Sequence, residues 1–186
     1  MNAFAKVDKE TFYRFVATRR EGRYEYLRGR IVQQMTGGTR DHGQVARRIA
    51  RMIEDQVDPG LLTVLTDRGV ETAETIRYPD VSLEPADEPG QSLTTRRPVL
   101  VVEVLAPSTT SAELDHKPDE YLGFASLDAY IVASQDEPAI LVWMRGADGT
   151  FPAKPKEIDG LDAVVEVKGR GFEVSLPVAT IYEGIA

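Results

Sequence analysis

The sequence predicts an α/β (α+β) fold, a central mixed sheet flanked by helices. Three observations lead there. Pro98-Val99-Leu100-Val101-Val102-Glu103-Val104-Leu105 is the most apolar run in the chain, and a run this continuous suits a strand buried on both faces of a sheet. Helical and alternating patterns follow one another as helix, hairpin, helix, strands, helix, strands, the order expected of a sheet with helices packed on it. The 186 residues, 42% hydrophobic and 28% charged, suit one globular domain over 1–186 with a core of its own.

Asp8 stands where a helix N-cap belongs, ahead of Phe12, Phe15 and Val16 on one face. Tyr24-Glu25-Tyr26-Leu27 and Ile31-Val32 flank Arg28-Gly29-Arg30 and read as a hairpin. Thr36-Gly37-Gly38-Thr39 breaks the chain. A second helix is expected from Asp41 onward, with Val45, Ile49, Met52, Ile53 and Val57 at helical spacing, ending at Asp58-Pro59-Gly60. Strands are expected over 61–70 and 75–83, a loop over 84–97, and the apolar strand over 98–105. Helical signals follow. Strands return at 129–133, 139–144, 164–167 and 172–174, with a turn at Asp148-Gly149. The lone Trp143 falls in an apolar strand and is expected in the core. No repeat, low-complexity tract or interdomain linker is visible.

Cysteine is absent, which excludes disulfides, thiolate zinc sites and thiol nucleophiles. Two histidines do not fill a histidine-rich metal site. Carboxylates remain, so a bound metal would be a hard ion such as magnesium, manganese or calcium. No apolar stretch is long enough to span a bilayer and the N-terminus lacks a secretory apolar region, so a cytoplasmic protein without membrane contact is expected. The net charge of -8 weighs against extensive phosphate neutralisation. Arginines nevertheless gather at Arg40, Arg47, Arg48 and Arg51, and at Arg96-Arg97.

Glu103 is the most informative residue. It interrupts the apolar strand, where an ionised carboxylate costs several kcal/mol unless paired or bound to metal. It faces solvent, pairs with an arginine, or serves a site. Asp80, in Pro79-Asp80-Val81-Ser82-Leu83, reads alone as a turn residue. Together the two place one acid on each of two neighbouring strands against an apolar background. Magnesium is held by one or two carboxylates plus waters and phosphate oxygens, so the pair points to metal-dependent phosphodiester chemistry. Such chemistry also calls for a cation beside the developing charge. The motif Asp…Glu-x-Lys would put a lysine two residues after Glu103, where Leu105 stands; the next lysine is Lys117.

In these pieces the chain resembles the Uma-two family of restriction endonucleases, within the PD-(D/E)XK nuclease-like superfamily. The pieces are Tyr24 to Val32, His42-Gly43, Tyr78-Pro79-Asp80-Val81-Ser82, Val101 to Thr109, Lys117, Glu120-Tyr121-Leu122 and Tyr130-Ile131-Val132. The resemblance implies a nuclease-like core acting on nucleic acid, here DNA, with Mg2+ or Mn2+. It makes Asp80 and Glu103 the metal ligands, with the Val104 carbonyl a further one. It makes Lys117 the migrated catalytic lysine, and Glu25 an acid brought from the N-terminal segment. Departures are Thr110 where the family has Arg, Glu113 where it often has Asp, and Ala133-Ser134 where an Asp follows the Ile-Val strand. Pro118 is a further departure: a helix capped by Thr110 and Glu113 would start at Ser111 and hold a proline inside, or else start at Pro118. These departures, with the acidic charge, leave a second expectation open, a nuclease-like fold used as a binding or assembly module.

His42 opens a helix after a glycine-rich loop; it is a phosphate contact or proton carrier, or a surface residue, the reading the sequence alone favours, and the resemblance raises it to a secondary site candidate. His116 is expected to be solvated. Ser108 has no histidine to activate it and reads, with Thr109, as a partner for backbone groups at a strand-to-helix turn. Arg47, Arg48 and Arg51 would share a helix face, either gripping a nucleic-acid backbone or pairing with Glu54 and Asp55. The apolar strands of the C-terminal half would serve as a homodimer face.

Overall fold

The computed structural model describes residues 6–19, 21–34, 38–105 and 111–185, with side chains of the third helix from 117 onward. Helix α1 spans Lys9–Ala17; the Asp8 carboxylate caps it, accepting from the Thr11 N–H at 2.8 Å. Of its apolar residues Phe12 is buried, whereas Phe15 is half-buried, its ring edge-on to Tyr24. Strands β1 (Arg23–Leu27) and β2 (Arg30–Gln34) form the expected hairpin. Its two-residue turn needs positive φ at both positions, and Arg28 and Gly29 adopt 50° and 91°. Helix α2 spans Arg40–Glu54, with Thr39 as N-cap.

The two long strands expected next are each divided. Strand β3 (Leu62–Leu65) and β4 (Gly69–Glu71) belong to different sheets, as do β5 (Thr75–Arg77) and β6 (Val81–Pro85). Asp67 turns the chain in the left-handed region at φ 62°. Pro79 cannot donate to a ladder, and the chain leaves one sheet and enters the other across Tyr78-Pro79-Asp80. The expected loop over 84–97 contains the end of β6 and a short β7 (Thr94–Thr95).

The apolar run is β8 (Leu100–Leu105). It is followed by helix α3 (Ser111–Leu122), β9 (Ala129–Ser134), β10 (Ala139–Met144), β11 (Lys156–Asp159), the hairpin β12 (Val164–Gly169) and β13 (Phe172–Pro177), and the short α4 (Val178–Ile181). The patterning signalled neither β11 nor α4. Pro118 lies inside α3. The central mixed sheet has the order β11-β10-β9-β8-β6-β3, with β8 and β9 parallel and the other pairs antiparallel. A second sheet runs β2-β1-β5-β4-β7.

Side chains alternate across a strand, and β8 uses both faces. Leu100, Val102 and Val104 pack under Val45, Ile49 and Ile53 of α2, in a core shared with the β12–β13 hairpin. Val101 faces the other way, into a core with Tyr121 of α3, Tyr130 and Trp143. By the same alternation Glu103 belongs to the α3 side.

Candidate active site

Asp80 and Glu103 meet because of strand register. Val81 is opposite Val102 in the β6–β8 pair, so Asp80, one residue earlier, comes opposite Glu103. The Asp80 carboxylate is anchored by the chain it faces: the Val104 N–H donates to its Oδ2 at 2.7 Å. That bond satisfies the Val104 N–H past the last residue pair of the β6–β8 ladder. Glu103 is 6% exposed and holds two donors, Lys117 Nζ to Oε2 and the Tyr121 hydroxyl to Oε1, both at 2.9 Å.

The glutamate therefore neither faces solvent nor pairs with an arginine. Its partner is Lys117, four residues before Tyr121 on the same face of α3. Pro118 does not turn the lysine away. The β8–α3–β9 crossover lays α3 over the sheet face that carries Glu103, and the anchored Tyr121 packs its ring against Tyr130 at 5.1 Å between centroids. Burial, with the Asp80 charge, pushes the Glu103 carboxyl above its ordinary value, with Lys117 opposing. Burial alone would lower the Lys117 ammonium; the Glu103 carboxylate outweighs it and holds the lysine above its ordinary value.

His42 is not the surface residue the sequence favours. Its Nε2 lies 3.5 Å from Asp80 Oδ2 and the side chain is 19% exposed. The Thr39 cap fixes the first turn of α2 at this end of the sheet, which brings the imidazole over the carboxylate. The hydrogen bond to Asp80 raises the imidazolium above its ordinary value, against the opposing effect of burial.

Glu25 lies near enough to Lys117 to raise its ammonium, and is held by other groups. Its Oε1 accepts from Gln34 at 2.6 Å and its Oε2 from Arg77 at 2.8 Å. Arg77 then closes on Glu120 of α3 with two parallel bonds, 2.8 and 2.9 Å. This buried Glu25–Arg77–Glu120 bridge ties the second sheet to α3 within one turn of Lys117. Arg77, Glu120 and Tyr121 were not singled out from the sequence as site residues. The available signals were a lone arginine between apolar strand residues and two polar groups three and four positions after Lys117.

The expected arginine face comes apart. Arg48 donates to the Ile181 carbonyl at 2.9 Å and to Gln44, so it joins α2 to α4. Arg47 is exposed and Arg51 lies 3.8 Å from Asp55. Ser108, Thr109 and Thr110 lie outside the described residues, and so do the side chains of Glu113 and His116.

The Uma2 family model, described as "putative restriction endonuclease", matches residues 10–179. The chain belongs to the Uma2 family. A protein of Synechocystis sp. described as uncharacterised is 28% identical over 188 residues, covering 98% of this chain and 95% of its own length. A crystal structure from Anabaena variabilis, described as a "putative nuclease belonging to DUF820", superposes with a TM-score of 0.75 at 15% identity. The match covers 92% of this chain and 97% of that one. At that identity the likeness shows the fold: a mixed α+β arrangement around a central sheet, shared with a nuclease-like protein. Among the described residues no helix is long and apolar enough to cross a membrane.

Proposed function

We propose that this Uma2 protein is a metal-dependent endonuclease that hydrolyses phosphodiester bonds of DNA. The observation that carries the reading is the placement of Lys117 Nζ, 2.9 Å from Glu103 Oε2, on a strand whose neighbour brings Asp80 opposite. A fold retained only for binding or assembly would not require that amine to be held at that carboxylate.

The donor set fits magnesium or manganese. Asp80, Glu103 and the Val104 carbonyl are hard oxygen donors at one end of two paired strands. Among the described residues no three His, Asp or Glu side chains converge as a metal cage. The chain would thus supply two carboxylates and a carbonyl, leaving the other positions to water and substrate oxygens, which is usual for magnesium. An ion held there would polarise a phosphoryl oxygen and acidify a bound water.

The protein's own groups divide the remaining work. Lys117 presents a fixed ammonium to the negative charge that develops on the phosphoryl oxygens, after leaving Glu103 for the substrate. Tyr121 keeps Glu103 Oε1 oriented while that exchange takes place. The Glu25–Arg77–Glu120 bridge fixes α3 and so the reach of Lys117; in this reading Glu25 is a positioning residue. His42 steadies Asp80 and lies where it can contact a substrate phosphate.

Calorimetric titration of Mn2+ tests the ligand assignment without relying on turnover. Wild type should bind, and Asp80→Ala and Glu103→Ala should each lose binding while melting as cooperatively as wild type. Equal Mn2+ affinity in all three proteins would remove these residues from the metal site.

A further inference from the structure

A second feature lies along α3 on the far side of the Arg77 bridge. A cavity of about 500 Å³ is lined by Lys9, Glu71, Thr72, Arg96, Glu120 and Phe124, with Ala73 and Gly123 also at its wall. That volume lies within the range of small-molecule sites, about 300–1,000 Å³. It stands apart from Asp80 and Glu103, but Glu120 belongs both to its wall and to the bridge beside Lys117.

The polar inventory of the cavity favours an anion. Both carboxylates in its wall are already paired, and Glu71 uses all of its roughly four acceptor sites. Glu120 gives one oxygen to each of two Arg77 nitrogens. Glu71 accepts Lys9 and Arg96 on Oε1, and Tyr13 and Thr94 on Oε2. The cations are not saturated. A guanidinium carries five N–H donors, and among the described residues Arg96 spends one, on Glu71. Its side chain is 72% exposed. Lys9 keeps one of three ammonium hydrogens after bonding Glu71 and the Thr72 carbonyl. Lys9 and Arg96 balance Glu71 and Glu120, so the wall carries no net charge in a chain of net charge -8, and what the cavity offers an anion is the unspent donors. The half-buried ring of Phe124 adds an apolar wall beside these donors.

We infer that this cavity is a subsite for one nucleotide of the substrate strand, its phosphate held by Arg96 and Lys9 and its base against Phe124. The inference rests on the nuclease reading for the identity of the strand. From Lys117 the helix α3 runs five residues on to Leu122, about 7.5 Å at about 1.5 Å per residue, and Gly123 and Phe124 of the cavity wall follow directly. The subsite thus lies along α3 from Lys117, beyond the helix end. It would grip single-stranded or locally opened DNA, because a base within a duplex has no free face to offer.

The test is fluorescence anisotropy with a labelled 12-nucleotide single-stranded DNA in EDTA, where no cleavage intervenes. Arg96→Ala and Gly123→Leu are the informative variants. Gly123 has ordinary φ, and an added Cβ would meet only the Asp119 and Glu120 carbonyls at 3.6 Å, so a side chain starts from this wall position without a backbone clash. Both variants should bind at least fivefold more weakly, in line with the loss of a stacked base. Arg96→Ala should also reduce the slope of log affinity against log salt by about 0.7, one phosphate contact on a single strand. Lys168→Ala, at an exposed position on β12 paired only with Glu173 among the described residues, should bind as wild type. Unchanged affinity in Arg96→Ala and Gly123→Leu, or competition by equimolar inorganic phosphate as strong as by a dinucleotide, would overturn the subsite. The nuclease reading is judged separately, by cleavage with Mn2+. Wild type that cleaves while both variants bind normally sinks the subsite alone. Wild type that binds through the cavity but never cleaves sinks the nuclease alone.

Discussion

Replacing Tyr121 by phenylalanine removes one oxygen and leaves the packing intact. The ring is fully buried and packs at a tilt against Tyr130, so no cavity opens. What is lost is the 2.9 Å hydrogen bond to Glu103 Oε1. A bond to a charged acceptor contributes about 1.5–3 kcal/mol, and the carboxylate left behind has lost one of its two described donors while remaining buried. At about 2–4 °C per kcal/mol for a domain of this size, the melting temperature should fall by roughly 3–12 °C. Urea unfolding at pH 7 gives the free energy directly, and a double-mutant cycle gives its source. On a Glu103→Gln background, where the acceptor is neutral, Tyr121→Phe should cost only about 0.5–1.5 kcal/mol. Loss of less than about 0.5 kcal/mol in the single variant, or equal losses on both backgrounds, would refute the idea that Tyr121 holds an ionised Glu103.

Lys117→Met should be more costly than Glu103→Gln, because it strands a carboxylate that is 6% exposed beside Asp80; about 3–5 kcal/mol is expected, and the double variant should recover much of it in urea unfolding. Glu71 links stability to pH. Burial pushes its carboxyl up, but hydrogen bonds from Arg96, Lys9, Tyr13 and Thr94 outweigh that and hold it at about 2, against an ordinary 4.5. A depressed folded-state value stabilises above about pH 4.5 and is lost as pH falls toward 2. The full shift corresponds to about 3 kcal/mol, reduced to about 1–2 by the solvent around Arg96. Melting temperatures from pH 7 to 2.5 should therefore converge for wild type and Glu71→Gln at the acid end; parallel curves would contradict this. Arg77→Leu should release α3 from the second sheet, raising hydrogen exchange in β5 and in the last turn of α3 more than in α2.

The central strand and its odd residue were legible because an acid within a continuous apolar run is costly anywhere. Asp80 and Glu103 could be paired from sequence since Glu103 lies in β8 and Asp80 directly precedes β6, both stretches of strong strand pattern. The divisions at Asp67 and Pro79 were not legible: β-rich stretches of nine or ten residues carry no local mark of which sheet each half joins. Pro118 made Lys117 ambiguous, because local helix rules weigh the lost backbone bond and ignore the sheet that holds the helix in place. His42 read as surface from the sequence alone, and only the resemblance raised it to a secondary candidate, for a related reason. A helix N-terminus looks like surface until the fold shows what packs across it. Arg77 and Glu120 lie 43 positions apart, and no pattern within either element announces that they meet.

The most direct test of the account is cleavage of supercoiled and linear single-stranded DNA in Mg2+ or Mn2+ by wild type, Glu103→Ala and Lys117→Ala, each shown to be folded. The account predicts nicking by wild type that EDTA stops, and loss of about 100-fold or more in each variant, the scale of removing a group that stabilises transition-state charge. Cleavage that survives in Glu103→Ala at the wild-type rate would contradict it.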